Sequence, residues 1–171
     1  MRQAARAAEL PVADKPESME ICFVPDGDHA AFVAARAAVP PGDVVTREGK
    51  RLGGHAGLHR FTVGQKKGVP GGAGTVLRLE AGTGTVVVGP EDAAWSDRAR
   101  VGQVRWIGPP PAGPLRALVQ VRHRHPPALA AVRPDGADAD VRFASRVRAI
   151  SPGQAAVFYD GDRVLGGGWI Q

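Results

Sequence analysis

The sequence predicts a mainly β protein with a short N-terminal helix, a small β-rich central domain and a C-terminal six-stranded β-barrel. Its 171 residues include 23 glycines and 15 prolines, which fall between short apolar runs. Because glycine and proline mark turns, this spacing indicates many short strands joined by tight connections. A chain of this length can bury one moderate core or two small ones, and the turn spacing favours two.

The N-terminal segment is the helical part of the prediction. Arg2 to Leu10 favours a helix, and two prolines soon after it prevent the helix from continuing. A short strand is expected over Ile21 to Val24. Asp28 is then expected to cap a second helix over His29 to Ala38, because a short polar side chain satisfies the first free backbone amides of a helix.

The central segment, residues 43–91, is predicted to contain short strands. They are Val44–Val45, Leu58–Val63, Val76–Leu79 and Val86–Val88. The glycine-rich stretch Gly71 to Gly74 opens no predicted helix and lacks the Lys-Ser/Thr pair that follows a phosphate loop, so a turn is expected there.

From Trp95 onward the pattern of strand and turn repeats, and six such strands predict a small closed barrel. The predicted strands are Val101–Ile107, Leu115–His123, Ala128–Val132, Val141–Phe143, Ala155–Tyr159 and Val164–Ile170. Asp160-Gly161 indicates a tight hairpin between the last two, because such turns need residues that tolerate positive φ.

The charge of the chain has two interpretations. A net charge of +5 and a pI near 10.1 suit an anionic partner such as nucleic acid. However, 18 of the 22 basic residues are arginine, beside abundant alanine, glycine and proline, and a GC-rich genome produces the same balance without a binding function. Charge alone therefore leaves both interpretations open.

Targeting features are not predicted. Arg2, Arg6 and Glu9 interrupt the first ten residues, so there is no apolar signal core, and no run approaches the ~20 apolar residues that cross a bilayer. We therefore expect a cytoplasmic protein without membrane contact, and a lone cysteine is compatible with that reducing compartment.

The single cysteine, Cys22, is the first candidate site residue. It cannot form a disulfide within the chain, and a structural zinc site normally needs four cysteine or histidine ligands. Cys22 is therefore either a small buried apolar residue or a reactive nucleophile. Its neighbours Ile21 and Phe23 favour the buried interpretation if composition alone is considered.

His55 and His59 have the i, i+4 spacing of helical zinc ligands, but the glycines around them argue against a helix, so no metal site is predicted.

The strand Leu115 to Arg124 is the second candidate. Alternation places small and branched apolar side chains on one face, whereas the opposite face carries Arg116, Gln120, Arg122 and Arg124. Guanidinium groups about 6.5–7 Å apart resemble the spacing of phosphates along a nucleic-acid strand. The alternative is a solvated barrel exterior.

Four segments resemble one protein family, the tRNA-specific 2-thiouridylases. Lys15 to Val24, KPESMEICFV, resembles the segment around the family's second, persulfide-carrying cysteine. His55 to Val69 and Ala149 to Ile170 resemble two further family segments in the same order. Leu118 to Ala128 is similar to a family strand in which His123 takes the place of a tyrosine.

The resemblance implies roles for individual residues. Cys22 would carry a persulfide that attacks C2 of the wobble uridine of tRNA after ATP has activated it. Contacts with tRNA carry over to Arg122, His123 and Gln154. Lys66 and Lys67 resemble a family loop and can meet phosphates as mobile charges, although an exposed turn with ordinary lysines is an alternative.

The resemblance also implies the domain organisation. Residues 1–28 would be the remnant of a catalytic domain, residues 29–91 the central domain and residues 92–171 the barrel. The family's phosphate loop, S-G-G-x-D-S, and its first catalytic cysteine do not occur in these residues. We therefore expect ATP and Mg²⁺ to bind an N-terminal domain outside this chain, and no cofactor to bind this chain.

Expected partners are tRNA, a sulfur-donor protein such as a persulfide relay or cysteine desulfurase, and a separate ATP-pyrophosphatase domain if one supplies the missing half. On its own the chain is expected to be inactive. Two alternatives are a stand-alone RNA-binding module with a structural Cys22, and a barrel used for protein interaction.

Overall fold

A computed structural model of the chain describes residues 2–9, 14, 23–24, 27–72, 74–123 and 125–171. Residues 1–39 form one compact unit and residues 40–171 form a second. The first unit contains the described α-helices, and the second contains a four-stranded sheet followed by a closed barrel.

The first unit contains two short helices, α1 (Arg2–Ala7) and α2 (His29–Ala34). The predicted cap is confirmed, because Oδ1 of Asp28 accepts a hydrogen bond of 2.9 Å from the amide of Ala31. The prediction that α2 extends to Ala38 is wrong. The helix buries no side chain, and short helices without a packed face are marginal. No helix among the described residues is long and apolar enough to cross a membrane.

The predicted strand Ile21–Val24 falls largely outside the described residues. Of its four residues, the structure describes only Phe23 and Val24, of which Phe23 lies in a turn.

The sheet of the second unit has the order β2-β1-β4-β3, with β1 parallel to β4 and the other neighbours antiparallel. Its strands are β1 (Gly42–Thr46), β2 (Arg51–His55), β3 (Thr75–Glu80) and β4 (Thr85–Gly89). Buried Val44, Val76, Val86 and Val88 form its core. Three of these strands contain the predicted runs, whereas β2 was not predicted.

The predicted strand Leu58–Val63 is wrong. Leu58–Arg60 forms a 3₁₀ turn, which the amide of Phe61 closes on the carbonyl oxygen of Leu58 at 2.9 Å. Leu58 and Phe61 both pack into the core of the sheet. A strand would place residues three apart on opposite faces, whereas a 3₁₀ turn places them on the same face.

The barrel is closed by six strands in the order β10-β5-β8-β7-β6-β9, as predicted. The strands are β5 (Trp95–Trp106), β6 (Leu115–Gln120), β7 (Ala128–Asp135), β8 (Asp138–Arg148), β9 (Ala155–Asp160) and β10 (Arg163–Ile170). Inward-facing side chains such as Val101, Val132 and Phe158 are fully buried in its core.

The hairpin between β9 and β10 is confirmed, since Asp160 pairs with Arg163 across a two-residue loop. Gly161 occupies the first central position of this loop, with a φ of 56°. Asp162, at the second position, does not have positive φ, so only one of the two central residues adopts the left-handed conformation.

Candidate nucleic-acid interface

Two of the predicted site residues, Cys22 and Arg124, lie outside the residues that the structure describes. Their roles stay predictions. The remaining candidates, Lys66, Lys67, Arg122, His123 and Gln154, belong to three segments that are distant in the sequence. Their positions show which of these segments the fold brings together.

Arg122 lies just after β6 and is half-buried. Its Nη2 donates to the carbonyl oxygens of Val63, at 3.3 Å, and Ala149, at 3.2 Å, and to Oγ of Ser151, at 3.1 Å. Two of these acceptors come just before the Pro-Gly-Gln turn, Pro152–Gln154, and the third, Val63, lies in the lysine loop, residues 62–68. Arg122 therefore joins the loop 62–68 and the segment 148–154, and we call the loop, the segment and the pair Arg122-His123 together the junction.

Arg148 makes a second connection within the junction. Its Nη2 donates to the carbonyl oxygen of Gly64 at 2.9 Å, and its Nε donates to Oε1 of Glu91 at 2.7 Å. Oε2 of Glu91 accepts from Oγ1 of Thr75 at 2.7 Å and lies 3.1 Å from Nζ of Lys66. The barrel is thereby attached to the loop and to β3 of the central sheet.

The environment of Glu91 favours its charged form. Hydrogen bonds from Arg148 and then Thr75, with a smaller contribution from Lys66, lower the pKa of Glu91 from the ordinary 4.5 to about 2. Arg148 has a raised pKa, mainly because of its hydrogen bond to Glu91. Lys66 is thus paired with a carboxylate, whereas Lys67 is exposed and has no ion pair within the described chain.

The Pro-Gly-Gln turn is fixed against the end of β10. The amide of Gly153 donates to the carbonyl oxygen of Ile170, and the amide of Ile170 donates to the carbonyl oxygen of Gln154, both at 2.8 Å. The side chain of Gln154 is exposed, as is that of His123, which follows Arg122 in the chain. Backbone hydrogen bonds therefore fix the position of the turn, while the side chains of Gln154 and His123 face solvent.

The predicted row of guanidinium groups along one strand is only partly correct. Alternation in β6 is confirmed, since Ala117 and Val119 are buried and Arg116 is exposed. However, β6 ends at Gln120, and the guanidinium of Arg122 binds acceptors within the protein. Val119 pairs with Ala128, so the next positions of the ladder would face two prolines, which lack the N–H groups needed to continue it.

Sequence reasoning did not find Glu91 and Arg148. Their hydrogen bond joins residues 57 positions apart, and the bond from Arg148 to Gly64 spans 84 positions. No local pattern around either residue indicates such a partner.

Two family models match the chain. The tRNA methyl transferase PRC-barrel domain family matches residues 30–90, and the aminomethyltransferase beta-barrel domain family matches residues 96–170.

Curated relatives with the name tRNA-specific 2-thiouridylase MnmA align with the whole chain. The relative from Geotalea uraniireducens is 44% identical over 178 residues, which cover 100% of this chain and 47% of the relative. The relative from Magnetococcus marinus is 44% identical over 99% of this chain and 49% of its own length, and that from Sorangium cellulosum is 46% identical over 100% and 47%. The chain thus spans about half the length of the curated relatives it matches. It belongs to the family of tRNA-specific 2-thiouridylases and corresponds to the C-terminal portion of its members.

Proposed function

We propose that this chain supplies the sulfur carrier and part of the tRNA-binding surface of an ATP-dependent sulfurtransferase that thiolates the wobble uridine of tRNA. The observation that carries this proposal is the alignment of the whole chain with proteins named as tRNA-specific 2-thiouridylases. The match of residues 14–24 to the family's second cysteine segment supports Cys22 as the carrier.

The proposed chemistry begins with a sulfur-donor protein that carries a cysteine persulfide. The thiolate of Cys22 attacks the terminal sulfur of that persulfide, the S–S bond of the donor breaks, the donor cysteine leaves as a thiolate, and Cys22 holds the persulfide. The terminal sulfur then attacks C2 of a uridine whose O2 has been adenylated by ATP, and the C2–O bond breaks as AMP leaves. The thiol of the family's first cysteine finally attacks Sγ of Cys22. The S–S bond breaks, a disulfide joins the two cysteines, and 2-thiouridine is released.

In this proposal the residues of the junction have two kinds of role. Lys66, Lys67, His123 and Gln154 contact tRNA, because their side chains are exposed beside the hydrogen-bonded backbone of the loop and the turn. Arg122 positions the loop and the turn through its three hydrogen bonds, and it contributes to RNA binding through them. ATP and Mg²⁺ bind the N-terminal domain that these enzymes contain.

Reconstitution tests the role of Cys22. The chain is mixed with a separately expressed ATP-binding domain of a 2-thiouridylase, ATP, Mg²⁺, unmodified tRNA and a persulfide donor, and 2-thiouridine is measured by mass spectrometry. Cys22→Ala and Cys22→Ser should both abolish the product, because neither side chain can hold a transferable sulfur.

A matched control moves the thiol without changing the number of thiols. In Cys22→Ala/Ala34→Cys the thiol lies on the exposed end of α2, and it should not restore the product. Binding of tRNA should be unchanged in all of these variants. Thiolation that survives Cys22→Ala would refute the proposed role of Cys22.

A further inference from the structure

We propose that a groove between the central sheet and the outside of the barrel binds the phosphate backbone of tRNA, in addition to the residues of the junction. That the RNA is tRNA rests on the proposed function. The groove is open and has a volume of about 1500 Å³. Among the described residues its charged lining consists of two aspartates, Asp92 and Asp140, and seven arginines, Arg47, Arg78, Arg98, Arg100, Arg133, Arg142 and Arg146.

The register of the barrel strands aligns three arginines in one row across its outer surface. Arg98 of β5 lies directly opposite Arg142 of β8. Arg142 lies opposite Ala131 of β7, which in turn lies opposite Arg116 of β6. Because neighbouring strands are about 4.8 Å apart, the row is roughly 15 Å wide.

Five of the seven arginines that line the groove form no ion pair shorter than 4.0 Å among the described residues, whereas Arg78 pairs with Glu80 at 2.6 Å and Arg100 pairs with three aspartates. Arg133 and Arg142 have no hydrogen bond or ion pair among the described residues, and neither has Arg116, which belongs to the row but does not line the groove. Arg98 has only a 4.0 Å contact with its neighbour Asp97, and both side chains are well exposed. A contact of this kind stabilises a protein very little.

Arg100, on the same surface, differs from these arginines because carboxylates of the protein neutralise it. It binds Asp135, Asp138 and Asp140 at 2.8, 3.0 and 2.9 Å, and these carboxylates raise its pKa. Asp140 is also the residue opposite Arg133 in the ladder. Because Asp140 is engaged by Arg100, Arg133 remains available to an external anion.

The direct opposition of Arg98 and Arg142 is unfavourable for the fold. Like charges directly opposite each other in an antiparallel ladder destabilise it. Conflicts of this kind between charge and stability are expected at functional sites. An anionic ligand that lies between the two guanidinium groups would remove the repulsion, since each group can bind a phosphate with two parallel hydrogen bonds.

The extent of the groove favours a polynucleotide over a single phosphate group. A second row, containing Arg133, lies two residues further along the strands, about 7 Å away. Trp95 lines the groove with 40% of its surface exposed, and an exposed indole can stack on a nucleic-acid base. Pro152 of the Pro-Gly-Gln turn lines the same groove, so the surface continues from the junction.

Salt-dependent binding of unmodified tRNA to the 171-residue chain tests this proposal. The groove variant is Arg98→Gln/Arg142→Gln, and the matched control is Arg105→Gln/Arg163→Gln, which removes two exposed, unpaired arginines outside the groove. The slope of log affinity against log salt should flatten by about one to two units in the groove variant. In the control it should change by less than about half a unit. Equal slopes in the two variants would overturn the proposal.

Two further measurements separate binding from folding and from the proposed function. The melting temperature of the groove variant should equal or exceed that of the unsubstituted chain, because a repulsion is removed. Ultraviolet crosslinking of tRNA to the unsubstituted chain should label peptides containing residues 95–100 or 140–146, whereas labelling confined to residues 60–68 and 148–155 would contradict the groove.

If the salt slopes of the groove variant and the control variant are equal while thiolation still depends on Cys22, only the groove is refuted. Groove-dependent binding with thiolation that survives Cys22→Ala would refute only the proposed role of Cys22.

Discussion

Glu91 connects parts of the chain that meet only in the folded protein. Its carboxylate accepts hydrogen bonds from Arg148 at the end of β8 and from Thr75 at the start of β3, and it pairs with Lys66 of the loop. One carboxylate thus satisfies donors from the barrel, the sheet and the junction. It also reduces the net positive charge that Lys66 presents to an RNA.

The low pKa of Glu91 predicts a specific dependence of stability on pH. Since its pKa is about 2 in the folded protein and 4.5 when unperturbed, its contribution to stability is complete above pH 4.5 and disappears as the pH falls to about 2. Glu91→Gln should therefore be less stable than the unsubstituted chain at pH 7, and the difference should narrow progressively below pH 4.5. Urea unfolding at pH 7, 4.5 and 3 measures this difference.

The control for this experiment is Glu80→Gln. Among the described residues Glu80 pairs only with its near neighbours Arg78 and Thr83 in an exposed hairpin, so its loss should change stability less at pH 7. A difference between Glu91→Gln and the unsubstituted chain that stays constant from pH 7 to pH 3 would contradict the assigned pKa.

At the scale of single elements, β10 closes the barrel by packing tightly between β5 and β9. It contains three consecutive glycines, Gly166 to Gly168, and its register with both neighbours shifts within or beside this run. A Cβ atom added at Gly168 would overlap the carbonyl oxygen of Gly102 and lie 2.9 Å from Cγ1 of Val101. The absence of side chains is therefore what allows the backbones to approach.

We expect Gly168→Ala to lower the free energy of unfolding by about 1–3 kcal/mol, because the backbone of β5 or β10 must move to admit the methyl group. Gly113→Ala is the control, since an added Cβ there meets no atom within 4 Å. It should leave stability unchanged or raise it by up to about 1 kcal/mol. Urea unfolding followed by tryptophan fluorescence compares them, and equal midpoints would show that β10 tolerates a side chain.

The strands differ in how far the sequence predicts them. The barrel strands were predicted because each contains an apolar run bounded by turn residues. By contrast β2, Arg51–His55, contains one large apolar residue, Leu52, and exists because its backbone pairs with β1 at the edge of the sheet. Pairing of this kind depends on a partner strand and leaves no periodicity in the sequence.

The candidate site, too, could be predicted only in part from the sequence. The resemblance identified Arg122, Gln154 and the lysine loop, and the fold brings their segments together. The sequence also suggested a row of cations along one strand, whereas the row that forms runs across strands through Arg98 and Arg142. Which residues lie opposite each other depends on strand register, which is set by turns, bulges and packing in the whole barrel.

At the scale of the whole molecule, residues 40–171 form one compact unit although they contain two separate cores. Side-chain bonds from the barrel to the loop 62–68 come from Arg122 and Arg148. We expect these bonds to couple the unfolding of the central sheet to that of the barrel. Because both arginines belong to the junction, the same contacts also hold the proposed RNA-binding loop and turn in place.

We therefore predict that Arg122→Ala/Arg148→Ala separates the unfolding of the two cores. Hydrogen bonds to charged groups contribute about 1.5–3 kcal/mol each, so the central sheet should lose stability of the order of 3 kcal/mol. All three tryptophans of the chain lie in β5 and β10, so their fluorescence reports mainly the barrel, whereas Trp95 also faces the groove beside the central sheet. Amide exchange of β1 to β4 reports the central sheet. The two probes should give one urea midpoint in the unsubstituted chain and two in the variant, with the sheet unfolding first.

The matched control is Arg116→Ala/Arg163→Ala, which removes two exposed arginines of the barrel that make no hydrogen bond or ion pair in the described chain. The urea midpoints that fluorescence and amide exchange report for this control should still coincide. Coincident midpoints in Arg122→Ala/Arg148→Ala as well would mean that backbone packing alone couples the cores. In that case the hydrogen bonds of the junction would serve to position the loop and the turn, and their loss would weaken tRNA binding without changing the order of unfolding.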